Sequence, residues 1–114
     1  MLGLSACGGS NGPANGATEF VIGIGTPITQ GDIAFGQGVQ RGAELAVATA
    51  NELQEVKDLG IVFTTATGDD QSDPKVGTTV ANSFASTRNL VGVVGHFNST
   101  VSIAASKVYN EKNI

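Results

Sequence analysis

Phe20-Val21-Ile22-Gly23-Ile24 is a short, continuous apolar run bounded by polar and turn residues, and it decides the fold. Such a run is typical of a strand that is buried on both faces of a parallel sheet. Two more runs, residues 61–67 and 90–94, predict two further strands. The second half of 61–67 is rich in threonine, which tolerates partial exposure, so we expect that strand near an edge of the sheet.

The segments between these runs carry helical patterns. Apolar residues recur at three- and four-residue spacing from Phe35 to Leu53, which predicts an amphipathic helix that ends near Gly60. Asp73 followed by Pro74 predicts the start of a second helix, because the carboxylate can accept from free backbone N–H groups. A third helix is expected after residue 98, capped by Ser99 or Thr100.

The resulting order is βαβαβα, with each helix between or after strands. This order predicts an α/β fold of the Rossmann-like, flavodoxin-like kind: a three-layer αβα arrangement around a parallel sheet with right-handed crossovers.

Composition excludes several classes of protein. The chain has 114 residues, enough for one small domain, and a formal net charge of −4 without a basic cluster. Nucleic acid is therefore not expected as a partner, since its binders need a positive surface to replace phosphate counterions. No apolar run approaches the roughly 20 residues that cross a bilayer.

The N-terminal residues 1–18 predict a truncated lipoprotein signal and a flexible tether. Leu4-Ser5-Ala6-Cys7 resembles the bacterial lipobox, in which the cysteine carries lipid, and a stretch of small residues follows. Only six residues precede Cys7, whereas a signal peptide needs an apolar region of about 7–15 residues, so the start is interpreted as clipped. Cys7 is the predicted lipidation site.

Ligands of such sheets bind at the carboxyl ends of the strands, where the loops 25–36, 68–73 and 95–100 are expected to meet. The first loop does not indicate a dinucleotide site, because Ile28 replaces the third glycine of the fingerprint and Pro27 lacks an N–H group. No cofactor is therefore expected.

Two catalytic interpretations are also weak. Asp69, Asp70 and Asp73 match the spacing of a magnesium motif, but Pro74 disfavours the helical geometry that this motif needs, so a turn plus an N-cap is predicted and no metal. A hydrolytic triad that contains His96 is not indicated, because Ser99 lacks the glycine-bounded strand-to-helix turn that such a serine needs. The sequence therefore does not predict an enzyme.

A binding role for the loop 95–100 is better supported. The N-terminus of the third predicted helix offers free N–H groups and the positive end of the helix dipole to a carboxylate. Ser99 and Thr100 add hydroxyl groups that can donate to a carboxylate or accept from an ammonium group.

Several segments together resemble the periplasmic binding proteins for leucine, isoleucine and valine. They are Gly68-Asp69-Asp70-Gln71-Ser72-Asp73-Pro74-Lys75, Gly95-His96-Phe97-Asn98-Ser99, Ala105-Ser106-Lys107-Val108-Tyr109, Ala34-Phe35-Gly36 and Arg41-Gly42-Ala43-Glu44-Leu45-Ala46-Val47. The resemblance implies that residues 19–114 are a partial N-terminal lobe of a type I periplasmic binding protein. It also implies a two-lobed receptor that closes on an amino acid and delivers it to an ABC permease.

The resemblance also implies functional residues. Ser99 matches the serine that holds the α-amino and α-carboxylate groups of the ligand, and Phe35 matches an aromatic residue that lines the pocket. With Thr100 and Asn98 these form the predicted ligand-binding set. Ser72 and Asn98 stand where some relatives carry a disulfide pair, which is absent here.

The leading hypothesis from the sequence is thus a lipid-anchored, extracytoplasmic receptor for branched-chain or related amino acids. One alternative is a sensor that uses the same lobe to report an amide, urea or an amino acid, and another is a small flavodoxin-like oxidoreductase or hydrolase. The chain stops where a fourth strand is expected, so we expect an unpaired edge on the third strand and weak or absent ligand binding by the chain alone.

Overall fold

The computed structural model describes residues 16–114, which form a three-stranded sheet with helices on both sides. The elements are β1 (Thr18–Thr26), α1 (Ile33–Glu52), α2 (Gln54–Asp58), β2 (Ile61–Asp69), α3 (Pro74–Ala85), β3 (Leu90–Gly95) and α4 (Ser99–Lys112). Each predicted strand is present, and the predicted α/β fold with a parallel sheet is confirmed.

The strand order β2-β1-β3 places β1 at the centre, and both of its neighbours run parallel to it. Gly25 of β1 lies opposite Gly68 of β2 and Gly95 of β3, so the three strands end at the same level. β2 lies at an edge, as its threonine content predicts. Asn51 of α1 covers part of that edge, because its side chain accepts from the N–H of Phe63 and donates to its carbonyl, each at 2.8 Å.

Consecutive residues of β1 show how the helices are distributed over the two faces. Ile22 points toward α1, whereas a Cβ atom on Gly23 would meet the ring of Phe84 in α3. Since successive strand residues face opposite sides, α1 and α3 cover opposite faces. On the α3 side, α3 and α4 pack on each other around Ala81, Ala105 and Val108.

The start of α3 agrees with the prediction. Oδ1 of Asp73 accepts from the N–H of Lys75 at 2.7 Å and from that of Val76 at 3.0 Å. Asp73 is therefore the N-cap, and Pro74 is the first residue of the helix.

Two local predictions were wrong. The helix expected to run to Gly60 breaks at Leu53, which has extended backbone angles and separates α1 from α2. Leu53 is 49% exposed, so only part of its side chain is buried to stabilise a continuous helix at that point. The N-cap of α4 is Asn98, and Ser99 is already the first helical residue.

Candidate functional site

The three loops at the carboxyl ends of the strands are joined by side-chain hydrogen bonds. Asn98 Nδ2, in the β3–α4 loop, donates to Asp32 Oδ2 in the β1–α1 loop at 2.7 Å. The N–H of Asp32 donates to Ser72 Oγ in the β2–α3 loop at 3.1 Å. The predicted meeting of the three loops is confirmed, and the bonds hold them as one unit.

Asp69 makes the densest of these connections. Its Oδ1 accepts from the N–H of Ile28 at 2.8 Å and from that of Gln71 at 3.1 Å, and its Oδ2 accepts from the hydroxyl of Thr29. Burial alone would raise the pKa of Asp69, but these hydrogen bonds to the ionised form outweigh it and lower the pKa below its ordinary value. The carboxylate thus fastens the β1–α1 loop to the end of β2.

The other two acids of this segment also have protein partners. Asp73 caps α3, and Asp70 accepts from the N–H of Ser72 at 3.0 Å. Within residues 16–114, no group of three or more His, Cys, Asp and Glu side chains is placed to hold a metal ion.

Ser99 and Thr100 lie exposed in the first turn of α4. The Asn98 side chain makes no capping bond to this turn: its Nδ2 donates to Asp32, and its Oδ1, the atom that would accept from the turn, is buried without a hydrogen-bond partner. Among residues 16–114, no side chain or backbone group hydrogen-bonds either hydroxyl. The first turn therefore has N–H groups without a hydrogen-bond acceptor and two hydroxyls on exposed residues, which together are the donor set that a carboxylate needs.

Phe35 lies beside this turn instead of in the core. The prediction that it belongs to the buried stripe of α1 is wrong, because its side chain is 64% exposed. Its ring stacks on Phe97, with centroids 5.3 Å apart and planes inclined by 7°. Phe97 is itself 41% exposed and precedes Ser99 by two residues, so an apolar surface adjoins the polar first turn.

Phe97 was not selected by the sequence analysis, since a phenylalanine next to an apolar strand is most simply interpreted as core.

The sequence analysis also missed the hydrogen-bonded line of side chains formed by Asp70, His96 and Tyr109. Nδ1 of His96 lies 2.7 Å from Oδ2 of Asp70, and Nε2 lies 2.9 Å from the hydroxyl of Tyr109. The only sequence signal was the placement of Asp70 and His96 after two strands that could flank a third.

An apolar cavity of about 280 Å³ lies elsewhere, between α1 and the sheet. One side chain from each strand lines it, namely Ile22, Phe63 and Val94, together with small residues of α1. None of the predicted ligand-binding residues contributes to this cavity. It is therefore separate from the loops at the strand ends.

Two observations bear on the membrane. No helix within residues 16–114 has the length and apolar character needed to cross a bilayer. Cys7, the predicted lipidation site, lies outside the described residues.

Known proteins match this chain over most of its length. Residues 19–114 match a family model described as periplasmic binding protein. Leu/Ile/Val-binding protein homolog 1 of Brucella abortus (strain 2308) is 43% identical over 96 residues, which are 84% of this chain and 25% of that protein. The chain thus spans about a quarter of the length of the curated relatives it matches.

Solved structures show the same fold. A crystal structure from Rhodospirillum rubrum superposes with a TM-score of 0.77 at 29% identity, over 85% of this chain and 28% of that one. The ABC transporter substrate-binding protein from Desulfitobacterium hafniense, in complex with Leu, superposes with a TM-score of 0.64 at 26% identity, over 85% of this chain and 27% of that one.

Proposed function

This chain belongs to the periplasmic binding protein family, and on that premise we propose that it is part of an extracytoplasmic receptor for a branched-chain or related amino acid. The receptor closes two lobes on its ligand and delivers it to the permease of an ABC importer. It binds its ligand and performs no chemistry on it. The residues described here contribute one wall of the binding cleft.

The observation that carries this proposal is the junction of a polar and an apolar surface at Ser99. The free N–H groups of the first turn of α4 and the hydroxyls of Ser99 and Thr100 suit the carboxylate of a zwitterion. The exposed rings of Phe35 and Phe97 adjoin this turn and suit an aliphatic side chain. An α-amino acid with an apolar side chain presents both surfaces from one carbon atom.

The relatives support the same class of ligand. The Desulfitobacterium hafniense protein was crystallised with Leu, and the Brucella relatives are named for Leu, Ile and Val. We carry these ligands over to this chain because the match includes every segment that forms the site.

We further propose that Cys7 carries a lipid that anchors the receptor to the outer face of the cell membrane. The stretch of small residues after Cys7 gives the folded part a flexible tether. Mass spectrometry of the natively expressed protein is expected to show a lipid on Cys7 and no residues before it. An unmodified Cys7 with Met1 retained would remove the anchor from the proposal.

The central test is calorimetric titration of the full-length gene product with a panel of ligands. The panel contains Leu, Ile, Val, polar amino acids, short amides and urea. We expect saturable heat from at least one of the branched-chain amino acids and none from urea. A response to amides or urea alone would replace the amino-acid receptor with another solute receptor, and no response from any compound would reject the proposal.

A further inference from the structure

His96, in the β3–α4 loop, hydrogen-bonds one side chain of the β2–α3 loop and one of α4. Its Nδ1 lies 2.7 Å from Asp70 Oδ2 at the end of β2, and its Nε2 lies 2.9 Å from the Tyr109 hydroxyl in the third turn of α4. The side chains of His96 and Asp70 are both fully buried. Neither one can therefore touch a ligand in the cleft.

The chemistry of the three groups assigns the protons along this line. A carboxylate can only accept, so Nδ1 of His96 carries a proton and donates it to Asp70. When the ring carries this one proton, Nε2 accepts from the hydroxyl of Tyr109. Burial and the negative charge of Asp70 raise the pKa of Tyr109 to about 12, so the phenol keeps its proton near neutral pH. Each nitrogen of the ring thus has one partner.

The ring is also held by shape. A Cβ atom on Gly25, at the end of the central strand, would lie 2.6 Å from Cε1 of His96, so only glycine leaves room for the imidazole. The backbone of His96 is fixed as well, because Ser102 Oγ of α4 donates to the His96 carbonyl at 2.8 Å. Side chain and main chain of His96 are therefore both tied to elements outside its loop.

His96 precedes Ser99 by three residues and belongs to the loop that carries the first turn of α4. We infer that His96 is a positioning residue, which holds Ser99 and the free N–H groups of α4 at the binding distance through its bonds to Asp70 and Tyr109. This inference rests on the proposed function, because it concerns the same binding turn. It assigns a role to three side chains that do not themselves reach the ligand.

Tyr109→Phe is the mildest test, since it removes one hydroxyl and keeps the ring. Ser106→Ala is the matched control, because it removes a hydroxyl from an exposed side chain of α4 that bonds only within the helix. Two quantities are measured on the full-length gene product. One is hydrogen exchange of the Ser102 amide, which donates to the Asn98 carbonyl at 2.9 Å and needs no ligand, and the other is affinity for leucine. We expect Tyr109→Phe to increase the exchange rate about fivefold and to weaken leucine binding about fivefold, because each change corresponds to the loss of one net hydrogen bond. Ser106→Ala is expected to change neither quantity.

Asp70→Asn supplies a second test should Tyr109→Phe fail to fold. The amide oxygen can accept from Ser72 as before, and its NH₂ group can donate to Nδ1 if the proton of the ring moves to Nε2, which then donates to Tyr109. The line is kept with its direction reversed. We expect nitrogen NMR to show His96 change from the Nδ1–H to the Nε2–H tautomer while leucine affinity stays within about twofold of the wild type, since the number of hydrogen bonds is unchanged.

The outcomes separate this inference from the proposed function. Unchanged exchange in Tyr109→Phe, or faster exchange with unchanged affinity, would overturn the positioning role while leaving the receptor intact. Loss of binding in Asp70→Asn despite the tautomer change would overturn it too. If the wild type binds no amino acid, the proposed function fails, and faster exchange of the Ser102 amide in Tyr109→Phe would still support His96 as the residue that holds this turn.

Discussion

Asn98 Nδ2 and Asp32 Oδ2 lie 2.7 Å apart and join the loop before α4 to the loop before α1. The two residues are 66 positions apart in the chain, so their bond exists only because β1 and β3 end side by side. In this arrangement Oδ1 of Asn98 accepts from no N–H group of the helix that it precedes. The first turn of α4 is thereby left open at the place where a ligand is proposed to bind.

Replacing Asn98 with alanine is expected to lower the free energy of unfolding by about 1 kcal/mol, because the bond to Asp32 is lost near the surface. Asn110→Ala is the matched control on the exposed face of α4 and is expected to be neutral or slightly stabilising. Urea denaturation measures both. Equal effects of the two substitutions would show that the link between the loops contributes nothing.

Replacing two glycines of α1 with alanine, one at a time, is expected to change the stability of the chain in opposite directions. A Cβ atom on Gly36 would overlap the carbonyl oxygen of Pro27, whereas one on Gly38 would meet nothing within 4 Å. Gly36→Ala is therefore expected to destabilise the chain by about 1–3 kcal/mol or more through overpacking. Gly38→Ala should stabilise it by about 0.5–1 kcal/mol through helix propensity. Thermal unfolding measures both variants, and unfolding midpoints that shift in the same direction would contradict this prediction.

Ser99→Ala is expected to weaken amino-acid binding by about 1–3 kcal/mol, the effect of losing a hydrogen bond to a charged group. The hydroxyl is exposed, so the free energy of unfolding should remain within about 0.5 kcal/mol of the wild type. Titration calorimetry on the full-length gene product measures the affinity. Ser106→Ala, the same substitution further along α4, should bind like the wild type, and an unchanged affinity of Ser99→Ala would remove this residue from the site.

Acid should weaken the attachment of the β1–α1 loop to β2. The pKa of Asp69 is lower in the folded chain than its ordinary value of 3.8, so the stabilisation from its ionised form is complete above that pH and is lost as the pH falls below it. Asp69→Asn should therefore be less stable than the wild type at neutral pH, and the difference should shrink in acid. Urea denaturation of both proteins between neutral pH and pH 3 measures this difference, and a difference that stays constant would contradict the role of the carboxylate.

Alkali should act through Tyr109, the single tyrosine of the chain. Its pKa is raised from 10.0 to about 12 in the folded state, so stability is complete below pH 10 and declines as the pH rises toward 12. Allowing for the partial exposure of the phenol, the decline amounts to about 2 kcal/mol. The near-ultraviolet absorbance of tyrosinate follows the titration directly. A midpoint near 10 in the folded chain would contradict the buried line with His96, and Tyr109→Phe should abolish the alkaline decline.

Much of the architecture was predictable from local patterns. Three apolar runs bounded by turn residues identify the strands, and the Asp73-Pro74 pair identifies the start of α3, because each signal depends on neighbouring residues alone. The same reasoning extended one helix past Leu53 and chose the wrong cap for α4. Both errors arise where burial and contacts with distant residues determine the end of an element.

For the binding turn of α4 and the residues that hold it, local sequence patterns likewise predicted one part and the assembled sheet decided the other. The sequence by itself determined that the loops after three parallel strands meet at one edge, and it identified Ser99 and Thr100 as residues of that edge. Phe35 was assigned to the pocket only through the resemblance to the family. Only the tertiary structure decided that Phe35 stacks on Phe97 and that His96 bonds Asp70 and Tyr109 across Gly25. The physical reason is the strand order β2-β1-β3, which places the ends of β2 and β3 on either side of a glycine. A local pattern carries no information about which strands become neighbours, so such contacts arise only when the sheet assembles.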